Sequence, residues 1–359
     1  MKTVVMTGGG TSGHVTPNIA LIPELKARGC HIEYIGSVNG MEKQLIEAEG
    51  IPYHGISAGK LRRYLSAKNF SDIFRVMKGF GQSVSLIRKI RPDLVFSKGG
   101  FVSCPVVWAA WFCRVPVVIH ESDITPGLTN KLSMPFARKV CYTFPESAKH
   151  IPEDKGVLTG LPIRKALLEG NRAMGRMICR FEDDKPVLMV IGGSQGAVRI
   201  NEAVRKCLKT LLKDFNICHI CGKGNVDSQY SGIKGYRQFE YLRDELSHIY
   251  ALADVVISRA GATTIFELLA LKKPTLLIPL SKQASRGDQI LNAESFRKRG
   301  FSMVLEEENL TPETLAERVK ELYENRQEYK KAMTGSGQTD GTMNVIKVIE
   351  EILQQKTAG

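Results

Sequence analysis

The sequence predicts an α/β protein of two tandem domains, each built on a parallel sheet, and three observations carry that prediction. Short apolar runs alternate with helix-period segments along the chain, the pattern of strands joined by crossover helices. The alternation restarts near Leu161-Pro162, and each half opens with a strand running into a glycine-rich turn. The length, 359 residues, is long for one core and ample for two.

Taken in order, Val4–Met6, Ile32–Ile35, Leu94–Phe96, Val115–Ile119 and Val140–Tyr142 read as strands. Between them Pro17–Arg28, Met41–Glu49, Asp72–Arg91 and Phe101–Phe112 read as helices. The second series has strands at Val187–Ile191, Ile217–Cys221, Val255–Ser258 and Thr275–Ile278. Its helices fall at about Arg199–Lys213, Thr263–Leu271, Gln289–Arg299 and Pro312–Tyr323. The charged stretch Leu168–Glu182 reads as an irregular surface connection. These readings place one domain at 1–162 and a second at 163–341. A last helix, Met343–Gln355 within 342–359, is expected to pack back onto the first.

Composition narrows the class. Hydrophobic content of 43% and charged content of 24% are those of a globular protein. No apolar run approaches the ~18–20 residues that span a bilayer. Met1-Lys2 leads straight into a strand, so no signal peptide is expected and the eight cysteines read as those of a reduced, cytoplasmic chain. Cys218 and Cys221 form a CxxC, but no second pair stands at zinc-site spacing; the alternation there reads as a buried strand. The net charge of +13 favours anionic partners. Between Lys60 and Lys98 there are ten Lys/Arg against two Asp. No zinc finger, helix-turn-helix or RNP-type motif accompanies the charge, so nucleic acid is not expected as the partner. The segment Leu61–Phe80 interleaves Leu61, Tyr64, Leu65, Phe70, Ile73, Phe74, Val76, Met77 and Phe80 with basic residues. It suits either an amphipathic helix on an anionic membrane surface or a core-facing helix with a basic edge.

The turns carry the chemistry. Thr7-Gly8-Gly9-Gly10-Thr11-Ser12-Gly13-His14 lies between a strand and a helix with Pro17 in its first turn. Glycines let backbone approach a ligand, and helix-start N–H groups favour an anion, so this is a candidate phosphate or oxyanion site. Gly8, Gly10 and Gly13 also satisfy G-x-G-x-x-G, but the second strand ends Tyr34-Ile35-Gly36-Ser37 without the acid that holds a dinucleotide's ribose. NAD or FAD is therefore not expected. Ile191-Gly192-Gly193-Ser194-Gln195-Gly196-Ala197 repeats the strand–glycine–helix arrangement and could grip a diphosphate. In Ser258-Arg259-Ala260-Gly261-Ala262-Thr263-Thr264-Ile265-Phe266-Glu267, Gly261 permits close approach and either threonine can cap a helix. Glu267 can accept both ribose hydroxyls or merely complement a helix dipole. Asp288 and Gln289 suit sugar hydroxyls, and Arg164 a base, a phosphate or plain solvent. His120, Glu121 and Asp123 end a first-domain strand, where open α/β sheets bind ligands; for His120 a structural role is an equal alternative. No D-x-D metal motif is present.

Taken together, TGGGTSGHVTPN (7–18), FSKGGFVSCP (96–105), HESDITPGLTNK (120–131), LTGLPIR (158–164), GGSQGA (192–197), SRAGATTIFE (258–267) and DQILNA (288–293) make the chain resemble the MurG family of GT-B glycosyltransferases. The resemblance implies two Rossmann-like domains whose parallel sheets face each other across a cleft. It implies UDP-N-acetylglucosamine (UDP-GlcNAc) as donor and undecaprenyl-linked lipid I as acceptor. The C4 hydroxyl of the acceptor's N-acetylmuramoyl-pentapeptide is glycosylated with inversion, which makes lipid II for peptidoglycan. It implies neither metal nor cofactor, and a peripheral protein on the cytoplasmic side of the cell membrane, within reach of other cell-wall synthesis proteins. By motif, Arg164, Ser194, Leu242 (through its backbone), Ala262, Thr263, Thr264, Ile265, Phe266, Glu267 and Gln289 match donor-binding positions. Thr11, Ser12 and Gly13 match the loop that approaches the sugar, and Gly10, Asp123 and Asn130 the acceptor side. His14 and Glu121 match catalytic positions, with His14 favoured as base because an imidazole titrates near about 6.5. The sequence departs from the family at TSGH, at HESD in place of HEQN, and in a longer segment before Asp288. A UDP-GlcNAc 2-epimerase, which also uses two such domains, and a non-catalytic nucleotide-sugar binder are the rival readings.

Overall fold

The computed structural model describes residues 1–59, 67–192, 197–282, 287–336 and 340–355, with backbone alone for 67–71. The chain divides into two compact units, Met1–Arg164 with Gln338–Gly359, and Lys165–Gly337.

The first unit runs β1 (Thr3–Thr7), α1 (Thr16–Ala27), β2 (His31–Ser37), α2 (Glu42–Ala48), β3 (Tyr53–Ile56), α3 (Ala67–Ile90), β4 (Leu94–Ser97), α4 (Ser103–Phe112), β5 (Val117–Glu121), α5 (Leu128–Ser133), β6 (Lys139–Tyr142) and β7 (Gly156–Leu158). Its described strands form a parallel sheet in the order β3-β2-β1-β4-β5-β6-β7. The second unit runs α6 (Arg172–Cys179), β8 (Val187–Ile191), α7 (Val198–Lys206), α8 (Leu208–Asp214), β9 (Asn216–Ile220), β10 (Tyr236–Phe239), α9 (Leu246–Leu252), β11 (Val255–Ser258), α10 (Ala262–Ala270), β12 (Thr275–Leu277), α11 (Asp288–Lys298), β13 (Met303–Val304), α12 (Pro312–Glu324) and α13 (Arg326–Thr334). Its parallel sheet has the order β10-β9-β8-β11-β12-β13. The closing helix, α14 (Gly341–Gln355), belongs to the first unit.

Central strands such as Val4-Val5-Met6 and Val187-Leu188-Met189-Val190 are buried on both faces, which is why they read as unbroken apolar runs. One core lies beneath α1 and α14, where Val345, Ile346, Ile349 and Ile352 join Val4, Met6, Leu21 and Leu25. Those α14 positions recur at helical spacing and lay one apolar stripe on the sheet. The helix start is pinned too. A side chain at Gly341 would meet the Leu161 carbonyl oxygen at 2.3 Å, and Thr342 exchanges hydrogen bonds with the Ile163 backbone.

Some expectations need correction. Leu168–Glu182 is no irregular connection, for it contains α6, with Asn171 as N-cap accepting from Met174 N–H at 3.0 Å. Gly175 hides the helix from a composition reading, yet it is required because a Cβ there would meet the His248 carbonyl oxygen at 2.3 Å. The helix expected over Arg199–Lys213 breaks at Cys207 into α7 and α8. Strands β3, β7, β10 and β13 and helices α5, α9 and α13 were not anticipated.

Candidate active site

Strand order places the functional loops. The order of strand addition in each sheet reverses near its centre, between β1 and β4 in one unit and between β8 and β11 in the other. Ligands of open parallel sheets bind beyond the strand C-termini at that reversal. The loops in question are therefore those following β1 and β4, and those following β8 and β11.

In the first unit the two glycine loops close on each other. Gly9 N–H donates to the Gly99 carbonyl at 3.3 Å, and Gly10 N–H to Glu42 Oε2 at 3.3 Å. Glu42, fully buried at the start of α2, also accepts from Ser37 N–H (3.0 Å) and the Ser37 hydroxyl (2.5 Å). Gly100 has φ +86°, and a side chain there would stand 2.0 Å from the Gly9 carbonyl oxygen. Gly10 has φ +89° against the Phe101 ring. Gly10 and Gly100 are thus demanded by packing, and a buried carboxylate takes the Gly10 amide. Thr11, Ser12 and Gly13 lie beyond this closed part. Ser12–His14 forms a short 3₁₀ turn, and His14 Nδ1 lies 2.9 Å from Thr11 Oγ1.

At the end of β5 the side chains divide by role. His120 is fully buried; its Nε2 donates to the Gly160 carbonyl at 2.9 Å, so Nδ1 holds the lone pair. Burial and the Lys98 charge push its pKa well below the ordinary value, and it reads as a structural, neutral histidine. Glu121 is caged: Oε1 accepts from Ser122 N–H (2.8 Å) and Asp123 N–H (3.0 Å). Its Oε2 accepts from Gly127 N–H (3.1 Å) and Asn130 Nδ2 (2.8 Å). Burial and the neighbouring Asp123 nevertheless raise its pKa, Lys98 opposing. Four donors make this carboxylate the knot of the turn between β5 and α5. Asp123 is half-buried at that turn.

In the second unit the helix start after β11 is open. Gly261 is the N-cap of α10 with ordinary φ −67°, and among the described residues no atom lies within 4 Å of where its Cβ would be. Neither strain nor crowding requires glycine here, and the space above the helix end is open among the described residues. The N–H groups of Ala262, Thr263 and Thr264 have no partner within the helix by construction, whereas Ile265 N–H donates to the Gly261 carbonyl at 3.1 Å. Thr263, Thr264 and Glu267 fall on one face by their spacing of three and four. Ile265 and Phe266 are buried, Phe266 against Phe296 with ring centroids 5.2 Å apart, so they reach a ligand only through backbone. Gln289 Oε1 accepts from Leu280 N–H at 3.1 Å, which leaves its amide as the group to offer. Leu242 is buried in the loop after β10, and Arg164 is the last residue of the first unit's main segment. Ser194 lies outside the described residues.

Comparison with known proteins adds to this geometry. Residues 4–142 match the glycosyltransferase family 28 N-terminal domain and residues 187–349 the glycosyltransferase family 28 C-terminal domain. The chain is 58% identical over 351 residues to the UDP-N-acetylglucosamine--N-acetylmuramyl-(pentapeptide) pyrophosphoryl-undecaprenol N-acetylglucosamine transferase of Clostridium botulinum strain Langeland, covering 98% of this chain and 99% of that one. It is 55% identical over 355 residues to the protein of the same name from Clostridium tetani, covering 99% of each. The chain belongs to the MurG family. Its structure superimposes on that of Acinetobacter baumannii MurG with a TM-score of 0.76 at 27% identity, covering 98% of this chain and 100% of that one. The calicheamicin glycosyltransferase CalG4 (TM-score 0.72, 15% identity, covering 99% and 98%) shares the fold alone. So does the UDP-GlcNAc 2-epimerase of Neisseria meningitidis (0.69, 14%, covering 99% and 100%). The two parallel sheets are those of the GT-B glycosyltransferase fold.

Four residues of this MurG-family chain escaped sequence reasoning. Glu42 props the first glycine loop, as described above. Lys98, at the exit of β4, is buried and donates through Nζ to Ser122 Oγ. Arg259, inside the motif after β11, is held by the Ile278 carbonyl (3.0 Å) and by buried Glu307, which also pairs with Arg199 at 3.6 Å. It ties loops together rather than reaching for substrate. A lysine directly after an apolar strand was the available signal for Lys98; Glu42 and Glu307 gave none. The CxxC lies on and just beyond β9; a hydrogen bond with Cys179, and then burial, raise the Cys218 thiol, and burial raises Cys221 to about 11.

Proposed function

We propose that this protein transfers N-acetylglucosamine from UDP-GlcNAc to the C4 hydroxyl of the N-acetylmuramoyl-pentapeptide of lipid I, with inversion, forming lipid II. The observation that carries the reading is 55–58% identity, over nearly the whole length, to transferases whose names state that donor and acceptor. In an inverting displacement a base takes the acceptor proton while its oxygen attacks the anomeric carbon and UDP leaves. The open helix start of α10 supports placing the departing diphosphate at the amides of Ala262–Thr264. There oriented N–H dipoles would take up the developing charge without a metal. Glu267, on the same face, would hold the ribose, with Gln289, Leu242, Arg164 and Ser194 completing the donor site.

His14 is the better candidate base. If Nδ1 donates its proton to Thr11 Oγ1, Nε2 is left with its lone pair for the acceptor hydroxyl. Glu121, whose oxygens already accept four bonds, acts by holding Asp123 and Asn130 in place for the acceptor. In an assay with labelled donor and a short-chain lipid I analogue, His14→Ala should lower kcat about a hundredfold or more with UDP affinity kept. Turnover by the wild type with donor alone, yielding an epimerised sugar, would overturn the transferase reading; near-normal kcat in His14→Ala would overturn only the base.

Among the described residues no helix is long and apolar enough to cross a membrane. Attachment to the cytoplasmic surface is supported by α3, which exposes Ile73, Phe74 and Met77 beside Arg75 and Lys78 while burying Val76. Trp111 and Phe112 at the end of α4 are also exposed, and Phe112 meets Phe80 of α3 edge-on at 6.1 Å. The earlier part of the expected amphipathic segment, 60–66, lies outside the described residues. Apolar side chains ringed by cations bind anionic interfaces in a salt-sensitive way.

A further inference from the structure

We propose that Lys98 is a positioning residue for the transfer reaction, its ammonium holding the Glu121–Ser122–Asp123 turn through Ser122 Oγ. The inference rests on the transferase reading above. A lysine with 1% exposure is costly to bury unless its charge is used. Here the use is visible, because Lys98, at the exit of β4, bridges the strand exits on either side of its own, those of β1 and β5. Its backbone N–H donates to the Thr7 carbonyl at the end of β1 (2.9 Å), and its Nζ donates across to Ser122 beyond β5. Ser122 is flanked by Glu121 and Asp123, and Glu121 in turn binds the amides of Ser122, Asp123 and Gly127 and the Asn130 side chain. One network therefore runs from the end of β1 through Lys98 to the start of α5, and half-buried Asp123 is what it presents.

The network is electrostatically unbalanced without Lys98. The ionisable groups facing the ammonium are Glu121 and Asp123, which favour its charge, and His120, which it keeps neutral. All three come from β5 and its exit. The neighbours from β1 and α1, Thr7, Gly8 and Asn18, do not titrate, nor does Asn130 of α5. Burial pulls Lys98 down to about 8 against that attraction. Deprotonation would leave two carboxylates in one turn with no cation, and the turn would open or take up a proton. Lys98 touches no reacting atom in this account.

The test compares wild type, Lys98→Met and Lys98→Arg in the labelled-transfer assay from pH 6.5 to 9.5, with UDP binding by calorimetry and thermal melting as controls. The wild-type kcat should fall through a single ionisation near pH 8. Lys98→Met should lose at least tenfold in kcat at pH 7 with UDP affinity within twofold, and its profile should lack the alkaline limb. Lys98→Arg, charged throughout, should keep a larger fraction of its own activity at pH 9 than the wild type does. A folded Lys98→Met with wild-type kcat, or with the same alkaline limb, overturns the proposal. If that variant does not fold, Ser122→Ala asks the same question: a several-fold loss of kcat with a displaced alkaline midpoint supports it, and an unchanged profile overturns it. A wild type that transfers nothing removes the activity reading itself; a transferring wild type with an indifferent Lys98→Met removes this inference alone.

Discussion

The turn after β1 and the turn after β11 are written alike in the sequence, strand then glycine then helix, and the fold uses them in opposite ways. After β1 the glycines are consumed by packing: Gly9 against Glu42, Gly10 against Phe101, and Gly9 again through its carbonyl, on which Gly100 of the loop after β4 closes. After β11, Gly261 has ordinary backbone angles and open space over the start of α10. A glycine required by its neighbours says little about ligands. A glycine that no neighbour requires, at an open helix start, leaves room for a ligand to approach.

That contrast is broken most directly by adding one methyl group on each side: at Gly100, which closes the loop after β4 onto the turn after β1, and at Gly261. Gly100→Ala meets both a positive φ and a backbone oxygen at 2.0 Å, so it should cost about 3 kcal/mol or more and yield little folded protein. Gly261→Ala should leave stability within about 0.5 kcal/mol yet weaken UDP binding roughly tenfold or more, read by calorimetry. A stable Gly100→Ala, or a Gly261→Ala that binds UDP like the wild type, would remove the distinction.

The two buried glutamates sharpen it. Glu121→Gln replaces an acceptor of four N–H donors by a group with its own N–H pair. Leaving buried donors unmet costs about 1–3 kcal/mol each, so its melting temperature and kcat should both fall. Glu267→Gln should instead raise the UDP dissociation constant about ten- to a hundredfold, the worth of charged hydrogen bonds to ribose, with kcat at saturating donor less affected. If Glu267→Gln leaves UDP affinity unchanged, the ribose assignment fails.

How much of this was legible follows from burial. The strands read correctly from sequence are central or nearly so, largely covered on both faces and therefore mostly apolar. The four that were missed, β3, β7, β10 and β13, are the four sheet edges, short and only partly buried. An edge strand has one neighbour, so its sequence is free to be polar. Helix α6 was hidden by Gly175, whose reason is the backbone of α9 and so invisible locally. In the site, the motif after β11 was legible because helix capping and periodicity are local, and the same periodicity separates Thr263, Thr264 and Glu267 from buried Ile265 and Phe266. Glu42 and Lys98 were not, since their partners, Gly10 and Ser122, stand 32 and 24 residues away.

The smallest expected effect is in stability against pH, where the two units should respond with the same sign in different windows, one acid and one alkaline. In the second unit His219 is buried between Asn201 Oδ1 (2.9 Å) and the Tyr236 hydroxyl (2.8 Å), and burial, with the Arg205 charge, pushes its pKa down to about 3. Below its ordinary value near 6.5 the unfolded chain takes a proton that the folded unit refuses, so stability falls as pH drops from 6.5 toward 3. In the first unit Lys98 sits at about 8 folded and 10.5 unfolded. Between those values the unfolded chain again holds the extra proton, so stability again rises with pH and this contribution grows from pH 8 to 10.5. Each slope is bounded by one proton, about 1.4 kcal/mol per pH unit. Urea unfolding at pH 5, 7 and 9 checks both. His219→Gln should flatten the acid loss without touching the alkaline side, and Lys98→Met should do the reverse. If Lys98→Met leaves the alkaline rise in place, the buried ammonium is not its source, and the network tying β4 to the β5 turn loses its electrostatic support.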